Sequence, residues 1–122
     1  MINNTQPQST DKKIVSTALK NATESMGLSQ TQVASILMVD KSTLSRSLKS
    51  GIEPLSLKGQ VSLLIIRMYR SLFALSGDNK KFMNHFLQTP NKAFGAAPLE
   101  LLKTLDGLVQ VNQYLDAMRG KI

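Results

Sequence analysis

Apolar residues recur at helical spacing along nearly the whole chain, and no stretch alternates strictly enough to read as a strand. The pattern predicts an all-α fold. The opening stretch, Met1 to Thr10, is rich in Asn, Gln, Ser and Thr and is expected to be a disordered arm over residues 1–10. From Lys12 onward Ile14, Val15, Ala18, Leu19, Ala22 and Met26 follow one helical face, and Gly27 stops that helix. A second helix begins at Ser29, which forms a capping box with Gln32, and turns Val33, Ala34 and Leu37 inward. Asp40 is a good N-cap for a third helix with Leu44 and Leu48 inside, ended by Gly51. Ile52-Glu53-Pro54 reads as a linker.

The second half continues the helical pattern. Residues 57–76 form the longest predicted helix, apolar around most of its circumference, from Val61 through Ile65, Met68 and Tyr69 to Leu75. Such a helix must be covered on more than one side, so it is either a central core helix or a dimer interface. Gly77-Asp78 breaks it. A short helix follows with Phe82, Met83, Phe86 and Leu87 inward, then a turn-rich stretch from Thr89 to Gly95. Pro98 fits the first position of another short helix, PLELLKT. The last helix is expected from about Gly107 to Met118, with Leu108, Val111, Leu115 and Met118 on its inner side.

Composition narrows the chemistry. The 122 residues suffice for one domain with a real core, or two very small ones. There is no cysteine and a single histidine, His85, which removes disulfides, thiolate metal sites and paired-imidazole sites within one chain. No cofactor is expected. The richest apolar run, Val61 to Leu75, is interrupted by Arg67 and Arg70 and is too short for a membrane span; with no apolar leader visible, a cytoplasmic protein is expected. The net charge is +7, and residues 1–76 hold nine basic against four acidic residues. An excess of that sign suits nucleic acid first.

The segment GLSQTQVASILMVDKSTLSRSLKSG joins two short capped helices by a tight turn, the spacing of a helix-turn-helix. Gln30 and the free amides beside it can hold a phosphate at the start of the first of these helices. Lys41, Ser42, Thr43, Ser45, Arg46 and Lys49 form the outer face of the second, where Lys and Arg can pair with guanine edges. Its one acidic residue is the cap, Asp40. Elsewhere, His85 reads as a surface histidine with no nucleophile tied to it. Glu100, Asp106 and Asp116 read as solvated helix residues, Gly95 as a turn glycine, and the six methionines as gap-fillers in the core.

The stretch FLQTPNKAFGAAPLELLKT (Phe86 to Thr104), followed by GLVQVNQYLDAMRGKI (Gly107 to Ile122), resembles the C-terminal domain of the Xre/MbcA/ParS-type antitoxin family. The order helix-turn-helix, long helix, P-N…G…P-x-E-L matches as well, over about residues 26–122. The chain departs from the family pattern in having Met38 where the turn usually carries glycine, Ala96 for the loop's second glycine, and a recognition helix one residue longer. The resemblance implies an Xre-like DNA-binding part over 11–53 and a helical dimerisation and toxin-binding part over 54–122. It also implies a type II antitoxin, not an enzyme, that neutralises a RES-type NAD-degrading toxin and represses its own operator as a homodimer. Pro90, Asn91, Tyr114, Leu115 and a basic tip of Arg119, Gly120, Lys121 and Ile122 are the implied toxin-binding residues. The alternative is a stand-alone helix-turn-helix repressor whose second half only dimerises. A small enzyme using His85 and a structural nucleic-acid protein are the readings from other classes.

Overall fold

Helix starts in this protein are set by side chains that accept the free amides of the first turn. Ser29, Asp40, Ser56, Asn79 and Thr104 each accept from the backbone amide three residues on. The structure, a computed structural model, describes residues 9–121. Among these it holds seven helices: α1 (Ser9–Ser25), α2 (Gln30–Leu37), α3 (Lys41–Ser50), α4 (Leu57–Ser76), α5 (Lys80–Gln88), α6 (Pro98–Leu101) and α7 (Leu105–Arg119). The one β-type pairing is an isolated bridge between Asn91 and Ala96.

Three boundaries differ from expectation. α1 begins at Ser9, inside the stretch read as an arm, with Asp11 in its first turn, where a negative charge suits the helix dipole. The rest of that arm lies outside the described residues. α7 begins at Leu105 because the Thr104 hydroxyl caps it, accepting from the Gly107 amide at 3.0 Å. That cap shortens α6 to four residues, since Thr104 already belongs to the next helix. Gly107 lies where α7 crosses the end of α6. A Cβ there would stand 1.8 Å from the Leu101 carbonyl oxygen, so the position admits only glycine without a backbone shift.

α4 is the central helix, packed on α1 along one side and on α7 along the other. Val61, Ile65, Ile66, Met68 and Leu72 are buried between them, while Leu63 and Phe73 stay exposed at 46% and 45%. α4 and α7 run parallel, because their polar links advance together. Asn112 Nδ2 donates to the Leu64 carbonyl (3.1 Å), Arg67 pairs with Asp116, and Arg119 Nη1 donates to Ser71 Oγ (3.3 Å). Asn112 is buried, so its bonds to backbone oxygens fix the register of the two helices.

The buried apolar residues form one cluster that runs through both halves of the chain. Side-chain contacts join the halves directly: Lys58 Nζ of α4 donates to Ser47 Oγ of α3 (2.8 Å), and Asn84 of α5 donates to the carbonyls of Met26 (3.3 Å) and Gly27 (3.2 Å) at the end of α1. Ile14, Phe82 and Met118, expected inside, are 60%, 42% and 37% exposed. Each lies at the edge of its helix's apolar stripe, and the neighbouring helices cover only the centre: Val15 and Leu19, Met83 and Leu87, Leu108 and Val111. The gap-filler reading holds for Met26, Met68 and Met83, which are buried, and fails for Met38 and Met118; Met1 lies outside the described residues.

Candidate nucleic-acid interface and toxin-binding segment

α2 and α3 carry the expected helix-turn-helix. The capping box is formed at both ends: the Ser29 amide donates to Gln32 Oε1 (2.9 Å) and the Gln32 amide to Ser29 Oγ (3.1 Å). Val33, Ala34, Ile36, Leu37 and Leu44 seat the pair on the core. The turn between them is left-handed at Met38, the one non-glycine residue with positive φ (59°) among those described. Its amide reaches back to the carbonyls of Ala34 and Ser35, which closes α2 as a glycine would. A side chain in that region costs roughly 1–2 kcal/mol. Met38, where glycine was expected, keeps the left-handed turn and places an exposed methionine just ahead of α3.

On α3, Lys41, Ser42, Arg46 and Lys49 are exposed, while Thr43 and Ser45 are half-buried. Arg46 Nη2 donates to Thr43 Oγ1 (3.2 Å), so the guanidinium is held over the first turn of the helix. Lys13 of α1 donates to the Lys49 carbonyl (2.8 Å), a cation at the helix C-terminus that ties α3 to α1. Gln30 is exposed at the first position of α2, beside Lys20 of α1, with which it lines a small cleft. Lys20 was not picked out from the sequence; its signal was its outward phase on α1, within two turns of the Gly27 stop.

Asp40 Oδ1 accepts from the Thr43 amide at 2.6 Å. That bond holds its carboxyl below the ordinary value of 3.8, with the Thr43 hydroxyl and the Arg46 charge acting in the same direction. A carboxylate whose pKa falls on folding stabilises the fold above its unfolded pKa and loses that contribution as pH drops through the folded value. Thermal unfolding of wild type and Asp40→Ala should therefore differ at neutral pH, and the difference should shrink as pH falls below the ordinary value of 3.8.

The expected toxin-binding residues fall into two groups. Asn91 organises the loop before α6. Its side chain accepts from the Ala93 amide (2.9 Å), and its backbone carbonyl accepts from Phe94 (3.0 Å) and Gly95 (2.9 Å). Its amide donates to the Ala96 carbonyl (3.1 Å), closing the loop. Pro90 is exposed beside it. The loop is seated by aromatic contact: the Tyr114 ring stacks on Phe86 (6.2 Å) and meets the Phe94 ring edge-on (5.0 Å). Tyr114 is thus half-buried and engaged within the chain. Leu115, expected to touch a partner, is 1% exposed and belongs to the core, because it points from α7 into the common cluster. α7 carries regular helix to Arg119, whose guanidinium rests on Ser71, and Gly120 and Lys121 form an exposed turn. Ile122 lies outside the described residues.

His85 is exposed, with Nδ1 3.3 Å from Thr89 Oγ1. No group of three or more His, Cys, Asp or Glu among the described residues could hold a metal ion. No helix among them is long and apolar enough to cross a membrane.

Comparison with known families decides what this arrangement is. Residues 6–70 match the model of the antitoxin Xre-like helix-turn-helix domain, and residues 71–121 match that of the antitoxin Xre/MbcA/ParS C-terminal toxin-binding domain. The chain belongs to the Xre/MbcA/ParS-type antitoxin family. No curated protein matches it. This antitoxin carries a helix-turn-helix DNA-binding part and a toxin-binding part, and neither matched domain is that of an enzyme. The two models meet between residues 70 and 71, inside α4, so the antitoxin's central helix serves both parts.

Proposed function

We propose that the protein is the cytoplasmic antitoxin of a type II pair, which neutralises a RES-type NAD-degrading toxin by direct binding and represses its own operon as a homodimer on operator DNA. The observation that carries this reading is the pairing of the two antitoxin domains in one chain. Residues 11–53 hold DNA through Gln30, Lys41, Ser42, Thr43, Ser45, Arg46 and Lys49. Residues 54–122 dimerise and hold the toxin. Exposed Ile14 and Leu63 support self-association, since they share a groove of about 460 Å³ between α1 and α4.

Toxin contact involves Pro90, Asn91 and the exposed edge of Tyr114, with Arg119, Gly120, Lys121 and Ile122 entering the toxin's site. Arg119 can offer a bidentate guanidinium to carboxylates of the toxin. For that it must leave Ser71, exchanging a single hydrogen bond to a neutral hydroxyl for a bidentate pair with an anionic acceptor.

Co-expression with a RES toxin tests this. Wild type should restore growth. The chain lacking residues 119–122, and Arg119→Ala, should stay folded by circular dichroism and restore growth poorly. Full rescue by the truncated chain would refute entry of the tip into the site. Absence of rescue by wild type would refute the toxin class.

A further inference from the structure

α5 lies in the half of the chain that matches the toxin-binding model, yet it is fastened to the helix-turn-helix. Asn84 donates to the carbonyls of Met26 and Gly27, the last residues before the α1–α2 turn. A Cβ on Gly27 would come within 2.9 Å of Asn84 Nδ2, so the two segments touch. Gly27 shares a surface concavity of about 510 Å³ with Lys80, Lys81, His85 and Gln88 of α5. From there the chain passes straight to Ser29 and Gln30, the start of α2. In a helix-turn-helix the first helix crosses the DNA backbone, and its first-turn amides face phosphate. The amides of Gln30 and Thr31 have no carbonyl partner within their own helix.

The chemistry of α5 agrees with that position. Its sequence KKFMNHFLQ contains no acidic residue. Neither Lys80 nor Lys81 forms an ion pair among the described residues. Asp78 and Glu24 lie on the Lys80 side, where they line a neighbouring concavity, so Lys81 is the less compensated of the two charges.

We propose that α5 is a second DNA-backbone contact, in which Lys80 and Lys81 meet phosphates flanking those held by Gln30 and the start of α2. The proposal rests on the reading of α2 and α3 as a DNA-binding unit. It extends the DNA surface into the toxin-binding half without adding base readout, because phosphate contacts position a protein and carry no sequence.

The test is salt-dependent fluorescence anisotropy of the full chain with a labelled duplex of about 30 base pairs, from about 50 to 250 mM NaCl. The double variant Lys80→Gln/Lys81→Gln should weaken binding to unrelated duplexes alike. It should also lower the slope of log K against log salt by about 1–2. Lys92→Gln, which removes a charge from the 89–97 loop, should leave the slope at the wild-type value. An equal loss of slope in Lys92→Gln would reduce the effect to net charge and overturn the proposal. A wild-type slope in the double variant, with Gln30→Ala still weakening binding to every duplex, would overturn the proposal while the helix-turn-helix reading stands. That result combined with failed rescue on toxin co-expression would assign the patch to a toxin. If the wild-type chain bound no duplex, the DNA-binding reading and the proposal would fall together.

Discussion

Ile65→Ala is expected to destabilise the protein by about 2–5 kcal/mol, while Leu63→Ala, two residues away on the same helix, should change the stability of the monomer by about 0.5 kcal/mol or less. The difference is set by packing. Ile65 is fully buried in α4, the helix wedged between α1 and α7, and truncation there leaves a cavity that close-packed neighbours cannot collapse into. Leu63 is 46% exposed and loses far less buried area. Urea unfolding followed by circular dichroism measures both, and equal effects would show that the exposed face of α4 is also covered in solution. The same position then tests self-association. Leu63→Lys should leave the fold intact and bring the light-scattering mass from that of a dimer to that of a monomer. A wild-type monomer at micromolar concentration would remove the homodimer from the proposed function.

Arg46→Ala is expected to weaken operator binding by about 1–3 kcal/mol, roughly 5- to 150-fold, and to relax discrimination at one base position. Arg46 is exposed on α3 and its guanidinium is held near the first turn by Thr43 Oγ1. A cation placed in advance loses less freedom when it pairs with a guanine edge than one swinging freely in solvent. Gln30→Ala should weaken all sequences equally, since the contact proposed for it is with the DNA backbone. Gel shifts against the operator and a set of single-base variants separate these two outcomes. If Arg46→Ala and Lys41→Ala both bound the operator as wild type does, α3 would not be the recognition helix.

Several of these statements depend only on residues close together in the chain. Ser29 with Gln32, Asp40 with Thr43, and the glycines at 27, 51 and 77 define helix ends within one turn of backbone. Capping and left-handed geometry are local interactions, so they act in the same way whatever the rest of the chain does. That is why α2, α3 and α4 start and stop where the sequence pattern places them. One exception was also local: the Thr104 hydroxyl caps α7 two residues ahead of the expected start.

What lies next to what was decided by tertiary packing. Periodicity marks ten apolar positions on α4 without telling which of them α1 and α7 will cover; Leu63 and Phe73 were left out because neither flank reaches them. Tyr114 reads as a contact candidate near the C-terminal tip yet stacks on Phe86 and Phe94, while Leu115, named beside it, stays in the core on the inner side where periodicity places it. Arg119 rests on Ser71, and Asn84 fastens α5 to the end of α1, through contacts that span 48 and 57 residues of sequence. Such contacts form only after the helices have packed, because they require two surfaces that no local preference orients toward each other. The helices were therefore legible in the residues themselves, while the placement of α5's lysines beside Gly27 at the end of α1 required the assembled fold.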